Sequence, residues 1–75
     1  MKDLSIEVIY KELGRRIRAA RKDRGMSQER LATESGIDRS HMGFIEQGRR
    51  KPTLATITKI ARTLNVSLEE LFRGL

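Results

Sequence analysis

Apolar residues recur in this chain at steps of three and four residues, and no stretch sustains the two-residue alternation of a β-strand. The cleanest run is Leu54, Ile57, Ile60, Ala61 and Leu64. A second stripe consists of Ile6, Ile9, Leu13, Ile17 and Ala20. Both patterns are typical of amphipathic helices, so the sequence predicts an all-α fold.

Capping residues divide the first half of the chain into three helices. The first is expected from about Ser5 to Arg24, although Gly14 is about 1 kcal/mol less favourable than Ala in a helix and allows a break there. Ser27 and Asp38 are good N-caps for a second and a third helix, and Gly36 is the stop between them.

Two more helices are expected after Pro52. The fourth contains the apolar run 54–64, and the fifth begins at Ser67, whose spacing to Glu70 is that of a capping box. We expect a single domain over residues 1–75, because 75 residues are enough for one core and no linker interrupts them. Residues 1–12 would lengthen the first helix or form an extra turn.

Composition excludes several classes of protein. The chain has no cysteine and one histidine, so disulfides are excluded and a structural zinc site is not expected. We also expect no other cofactor, no small-molecule ligand and no enzymatic activity, since no nucleophile–base pair or phosphate loop is present. No apolar run approaches the roughly 20 residues of a membrane span, and no signal peptide is recognisable. A cytoplasmic protein is therefore expected.

Positive charge is concentrated in two places. The formal net charge is +6, and residues 11–24 hold seven basic and two acidic side chains. Residues 48–51, GRRK, add three basic positions, whereas residues 52–75 are nearly neutral. This asymmetry indicates a polyanionic partner, nucleic acid before membrane, with a merely solvated basic surface as the alternative.

The junction ATESGIDRS, residues 32–40, predicts a change of direction between two helices. A helix ends at a tight turn that contains Gly36, one apolar residue (Ile37) follows, and Asp38 caps the next helix. This order is that of a helix-turn-helix, here about 27–47.

Around this junction the sequence resembles the phage-repressor-like (Cro/cI-type, XRE-like) helix-turn-helix domains. The resemblance covers residues 13–72 and rests on motifs in a fixed order: SQERLA (27–32), SGI (35–37), IEQG (45–48), GRRKPT (48–53) and IARTLNVSLEEL (60–71). It implies a five-helix lambda-repressor-like DNA-binding domain with the third helix, about 38–47, in the major groove.

The resemblance also implies roles for individual residues. The base-reading positions match Arg39, Ser40 and Phe44. The positions near phosphate match Gln28, His41, Gln47, Arg49, Arg50 and Lys51. Arg21 and Glu46 match a partly buried salt bridge between the first helix and the end of the recognition helix.

Three positions in this region carry an argument of their own. The fork of Arg39, at the N-terminus of its helix, fits the O6 and N7 acceptors of guanine. Phe44 either touches a thymine methyl or folds back on the fourth helix as peripheral core, and we favour packing. Gly43 departs from the family, which often has a hydroxyl side chain there to bond phosphate.

These features predict a sequence-specific, double-stranded DNA-binding transcriptional regulator, either repressor or activator. One recognition helix reads only a few base pairs, so we expect a homodimer on a palindromic operator. The predicted dimer interface consists of Leu68, Leu71, Phe72 and Leu75. Among compact relatives, restriction–modification controller proteins are the most similar, through DRS at 38–40. The alternatives are a DNA-binding antitoxin and a protein-interaction module of the same fold.

Overall fold

The computed structural model describes residues 5–75 and contains five α-helices in that range, with no strand. They are α1 (Ile6–Asp23), α2 (Gln28–Ser35), α3 (Arg39–Glu46), α4 (Leu54–Leu64) and α5 (Leu68–Phe72). The predicted all-α, five-helix fold is confirmed. Residues 6–12 lengthen α1, whereas residues 1–4 of the N-terminal extension lie outside the described range. No helix in the described part is both long and apolar enough to cross a membrane.

Side-chain caps set the start of every helix. In each case the N-cap side chain accepts a hydrogen bond from the backbone N–H three residues on, and the caps are Ser5, Ser27, Asp38, Thr53 and Ser67. At Ser67 the reciprocal half of the capping box is also present, because the Glu70 carboxylate accepts from the Ser67 N–H at 3.2 Å. Each such cap stabilises its helix by about 1 kcal/mol, so short helices can begin at defined residues.

The core lies where α1 crosses α3, α4 and α5, with α2 packed on α3 and α4. Its fully buried residues come from four helices: Leu13, Ile17, Leu31, Met42, Ile45, Ile60 and Leu64. Two residues of the predicted apolar stripes are exposed, Ile6 at 49% and Leu54 at 63%. Each is the first residue of its helix, where the stripe extends past the neighbouring helices.

Helix α1 runs without interruption through Gly14. The break that the sequence allowed at this position is absent. Gly14 is buried at the closest approach of α1 to the C-terminal end of α3, where a side chain would collide with backbone. Absence of a Cβ therefore decides how closely the recognition helix is held to the core.

Candidate nucleic-acid interface

The turn between α2 and α3 fixes the direction of the third helix. Gly36 adopts the left-handed conformation, with φ of 68°. The Gly36 N–H donates to the Thr33 carbonyl at 3.1 Å and the Ile37 N–H to the Ala32 carbonyl at 2.8 Å, which together make a Schellman motif. Ile37 packs against the core, and the Asp38 carboxylate then caps α3. The predicted helix-turn-helix is present.

Helix α3 has one buried side and one accessible side. Met42, Ile45 and Glu46 are buried, the first two among the core residues. Arg39 and Ser40, in the first turn, are exposed. The N-terminal turn of α3 therefore presents a guanidinium and a hydroxyl that no other side chain in residues 5–75 binds.

Behind α3, three side chains from three helices form a polar cluster, which we call the clamp: Arg21, Gln28 and Glu46. Arg21 donates through Nε to Glu46 Oε2 at 2.8 Å and through Nη2 to Glu46 Oε1 at 3.1 Å. Gln28 Nε2 donates to the same Oε1 at 3.1 Å. The remaining Arg21 Nη1 donates to the Met26 carbonyl at 2.8 Å.

Two of the three clamp side chains are almost inaccessible to solvent. Side-chain exposure is 10% for Arg21 and 2% for Glu46. The structure thus contains the predicted salt bridge, and its two parallel N–H donors give it the bidentate geometry of a strong pair. Because no buried side-chain nitrogen or oxygen in the described residues lacks a hydrogen-bond partner, the clamp fixes the C-terminal end of α3 to both α1 and α2.

Gln28 was expected near phosphate, and Gly43 explains how its side chain fits. A Cβ added to Gly43 would lie 3.3 Å from Gln28 Oε1. The amide of Gln28 therefore occupies the space that a side chain at position 43 would take. A glycine inside a capped eight-residue helix is about 1 kcal/mol less favourable than alanine. The presence of glycine despite this cost was the sequence signal of a close approach.

Phe44 lies between two arginines. The guanidinium carbons of Arg49 and Arg50 are 5.2 and 5.3 Å from the centroid of its ring. Phe44 is half-buried and is not among the hydrophobic residues packed against the core. The interpretation of Phe44 as peripheral core is therefore wrong: its ring connects α3 to the basic loop after it.

The basic loop, residues 48–51, is anchored at both ends and exposed in the middle. At its start the Arg49 N–H donates to the Phe44 carbonyl at 2.9 Å, and Arg49 Nη1 donates to Gln47 Oε1 at 3.4 Å. At its end Pro52 is buried, and its carbonyl accepts from the Tyr10 hydroxyl at 3.5 Å. The side chains of the three cations between these anchors are exposed.

Two predicted contact residues remain, His41 and Gln47. His41 is half-buried and Gln47 is exposed, on α3 and directly after it. In the sequence both lie between Arg39 and the loop, whose cationic side chains are exposed.

The predicted dimer residues fall into two groups. Leu71 is only 3% exposed and belongs to the core of the single chain, so its assignment to a dimer interface was wrong. Leu68, Phe72 and Leu75 are half-buried. The C-terminal end of α5 is held by Arg16, whose Nη1 donates to the Leu71 carbonyl at 3.0 Å and the Arg73 carbonyl at 2.6 Å.

This arrangement defines a helix-turn-helix domain with an accessible recognition helix. A family model described as "Helix-turn-helix" matches residues 17–71. The chain belongs to this helix-turn-helix family.

Known proteins similar to the chain agree with that assignment. An uncharacterised HTH-type transcriptional regulator of Bacillus subtilis, YazB, is 50% identical over 58 residues, which cover 77% of this chain and 84% of YazB. The control protein C.SmaI of Serratia marcescens is 35% identical over 69 residues, covering 92% of this chain and 82% of the relative.

Among solved structures, the restriction–modification controller protein C.AhdI of Aeromonas hydrophila superposes with a TM-score of 0.82 at 43% identity. The match covers 84% of this chain and 96% of C.AhdI. The resemblance to phage-repressor-like domains and to controller proteins, predicted from the sequence, is confirmed.

Proposed function

We propose that the protein is a transcriptional regulator that binds double-stranded DNA sequence-specifically as a homodimer on a palindromic operator. The observation that carries this proposal is the pairing of an exposed Arg39 and Ser40 on the first turn of α3 with an exposed cationic loop after it. Two relatives named as control or controller proteins favour a role at a restriction–modification locus.

Base reading is assigned to the first turn of α3. Asp38 occupies the N-cap, so Arg39 is the first helical residue and its guanidinium projects from the end of α3 that would enter the major groove. A guanidinium matches guanine O6 and N7 bidentately, which is worth about 1–3 kcal/mol of discrimination against a wrong base. Ser40 adds a hydroxyl with little preference among bases. Arg39 is therefore the main source of sequence preference.

Affinity without sequence preference is assigned to the loop. Arg49, Arg50 and Lys51 present three exposed cations on a backbone anchored at both ends. Stacking of two of them on Phe44 orders the guanidinium groups before DNA binds, at about 0.5–1 kcal/mol for each exposed cation–π pair. Phosphate contacts of this kind position the protein on the duplex but carry no sequence information.

A dimer is proposed because the part of the protein assigned to base reading, the first turn of α3, is small. The first turn of α3 reaches only a few base pairs, and two copies related by a two-fold axis double the site. The half-buried apolar residues at the C-terminal end, Leu68, Phe72 and Leu75, remain the proposed contact surface. The two half-sites would then lie about one helical turn apart.

The direct test is binding to the DNA upstream of the protein's own gene and to a scrambled duplex, at about 50 and 200 mM salt. We expect the wild type to prefer its own DNA. Arg39→Ala should abolish that preference, whereas Arg50→Ala should weaken binding to both duplexes and reduce the salt dependence by roughly one phosphate contact. Equal binding of the wild type to all duplexes, including those from a random-sequence selection, would overturn the sequence-specific function.

A further inference from the structure

The middle of α1 carries a basic face outside the helix-turn-helix. Lys11, Arg15 and Arg18 follow one another at steps of four and three residues, so they lie on one side of the helix, and all three are exposed. Together with Val8 and Gln47 they line an open groove of about 470 Å³ between α1 and the C-terminal end of α3. We call it the α1 groove.

Two carboxylates also line the α1 groove, and both are already neutralised. Glu12 accepts from Arg15 at 2.6 and 2.9 Å and from Arg16 at 2.9 Å. Glu46 is the acceptor of the clamp and faces Arg21 at 2.8 Å. Neither acid is therefore available to neutralise the other cations of the groove.

Lys11 and Arg18 are the unpaired cations of the groove within the described part of the chain. Neither forms an ion pair with any residue in the range 5–75. Seven residues separate them, so they are about 10 Å apart along the helix axis. Two exposed cations above an open groove favour an extended anion rather than a single carboxylate.

The α1 groove is continuous with the basic loop. A Cβ added to Gly48, which starts the loop, would lie 2.6 Å from the Lys11 α-carbon. The two backbones are thus in direct contact, and the Lys11 side chain begins where the cations of the loop begin. An anion bound by Arg49 and its neighbours could extend along this face of α1.

We propose that the α1 groove binds the DNA sugar–phosphate backbone next to the segment gripped by the loop, with Lys11 and Arg18 as further phosphate-contacting residues. This inference rests on the proposed function and extends the DNA contact beyond the helix-turn-helix. The α1 groove offers ammonium and guanidinium groups to phosphate and has no helix end that could enter a groove of the DNA. It therefore adds affinity and salt dependence but no sequence preference.

The test compares two double variants that remove the same charges. Lys11→Ala/Arg18→Ala removes the two unpaired cations from the α1 groove. Lys59→Ala/Arg62→Ala removes one exposed lysine and one exposed arginine from α4. All four sites are helical, and alanine favours helix, so both variants should keep the wild-type circular dichroism and melting temperature. Binding to the upstream and scrambled duplexes is measured from about 50 to 200 mM salt, with sedimentation as a check on the oligomeric state.

Each phosphate contact contributes about 0.9 to the slope of log affinity against log salt. We expect the α1 variant to have a slope shallower by nearly two such contributions. Its loss of affinity relative to wild type would then be about 10-fold greater at 50 mM than at 200 mM salt. The ratio of upstream to scrambled binding should stay unchanged, and the α4 variant should keep the wild-type slope.

Three outcomes would overturn the inference, and they differ. If the α1 and α4 variants have the same slope, the groove does not touch DNA although the proposed function stands. If the wild type binds neither duplex at low salt, the proposed function fails and this inference fails with it. A change in the upstream-to-scrambled ratio in the α1 variant would contradict the assignment to phosphate.

Discussion

Gly14 of α1 lies directly against the carbonyl of Ile45 near the C-terminal end of α3: a Cβ at position 14 would be 2.4 Å from that oxygen and 2.7 Å from the Glu46 carbonyl oxygen. No real side chain makes such contacts, so the two helices meet backbone to backbone. Ile45 packs in the core and Glu46 accepts from Arg21 in the clamp, so the same two residues hold α3 in place. The spacing at Gly14 therefore sets the position of α3.

Gly14→Ala should destabilise the protein although alanine is the better helix former. Helix propensity gains about 1 kcal/mol, but the clash with backbone that cannot rotate away costs about 1–3 kcal/mol or more. Urea unfolding would measure the difference. Gly25→Ala is the control, since its φ of 65° is left-handed and nothing lies within 4 Å of the added Cβ. That control should cost only the backbone strain of about 1–2 kcal/mol. A stabilised Gly14→Ala protein would contradict the close approach.

Removal of one partner of the clamp should be among the most destabilising single changes in the chain. Glu46→Ala would leave Arg21 buried without its carboxylate, at a cost of about 3–5 kcal/mol. Replacing both partners, as in Arg21→Met/Glu46→Leu, should cost less than the sum of the single changes, because no unpaired charge then remains buried. Unfolding free energies of the wild type, Arg21→Met, Glu46→Leu and the double variant measure the coupling. The salt bridge of the exposed Arg15 with Glu12 supplies the comparison, and Arg15→Ala should be far less destabilising than Glu46→Ala.

Stability should fall in acid partly through Glu12. Hydrogen bonds from Arg15, then from Arg16, lower the pKa of Glu12 from 4.5 to about 2. A carboxyl whose pKa is lower in the folded state stabilises the fold above its unfolded pKa, and this contribution is lost as pH falls from about 4.5 towards 2. Arg16 also holds the C-terminal end of α5, so protonation of Glu12 removes a support of that helix.

The measurement for Glu12 is the unfolding free energy of wild type and Glu12→Gln at pH 6 and at intervals down to about pH 2. The difference between the two proteins should shrink through this window and vanish at its acid end. Two parallel curves would show that Glu12 contributes nothing through its ionisation.

Phe44 should act on affinity through the loop. Phe44→Leu keeps an apolar side chain on α3 but removes the ring on which Arg49 and Arg50 stack. Loss of two exposed cation–π pairs, at about 0.5–1 kcal/mol each, should weaken binding to upstream and scrambled DNA alike by several-fold. Phe44→Tyr, which keeps the ring, is the control and should bind the scrambled duplex as the wild type does. If Phe44→Leu loses affinity only for the upstream duplex, the ring contacts a base instead.

The sequence was most informative where a local rule decides the structure. Caps such as Ser27 and Asp38, the left-handed Gly36 and the spacing of Ser67 to Glu70 each act within a few residues, and the helices begin where these predict. The pair Arg21–Glu46 spans 25 residues and was found only through the resemblance. Nothing local indicates that these two side chains meet.

Tertiary packing decided the remaining positions. Gly14 was expected as a weak point in a helix, yet it marks contact between α1 and α3. Periodicity placed Leu54 on an apolar face without showing that the core ends before it. The ring of Phe44 suited either core or DNA, and only the fold brings the two arginines to it.

The C-terminal apolar residues should separate into core and dimer positions. Leu71 is buried, so Leu71→Ala should lower the unfolding free energy by about 2–5 kcal/mol at any protein concentration. Leu75 is half-buried and does not belong to the core cluster. Leu75→Ala should therefore leave the stability of the single chain within about 0.5 kcal/mol of wild type, while it weakens self-association measured by sedimentation equilibrium. Unchanged association in Leu75→Ala would remove Leu75 from the proposed interface. The exposed Leu54 on α4 would then be the next apolar position to vary.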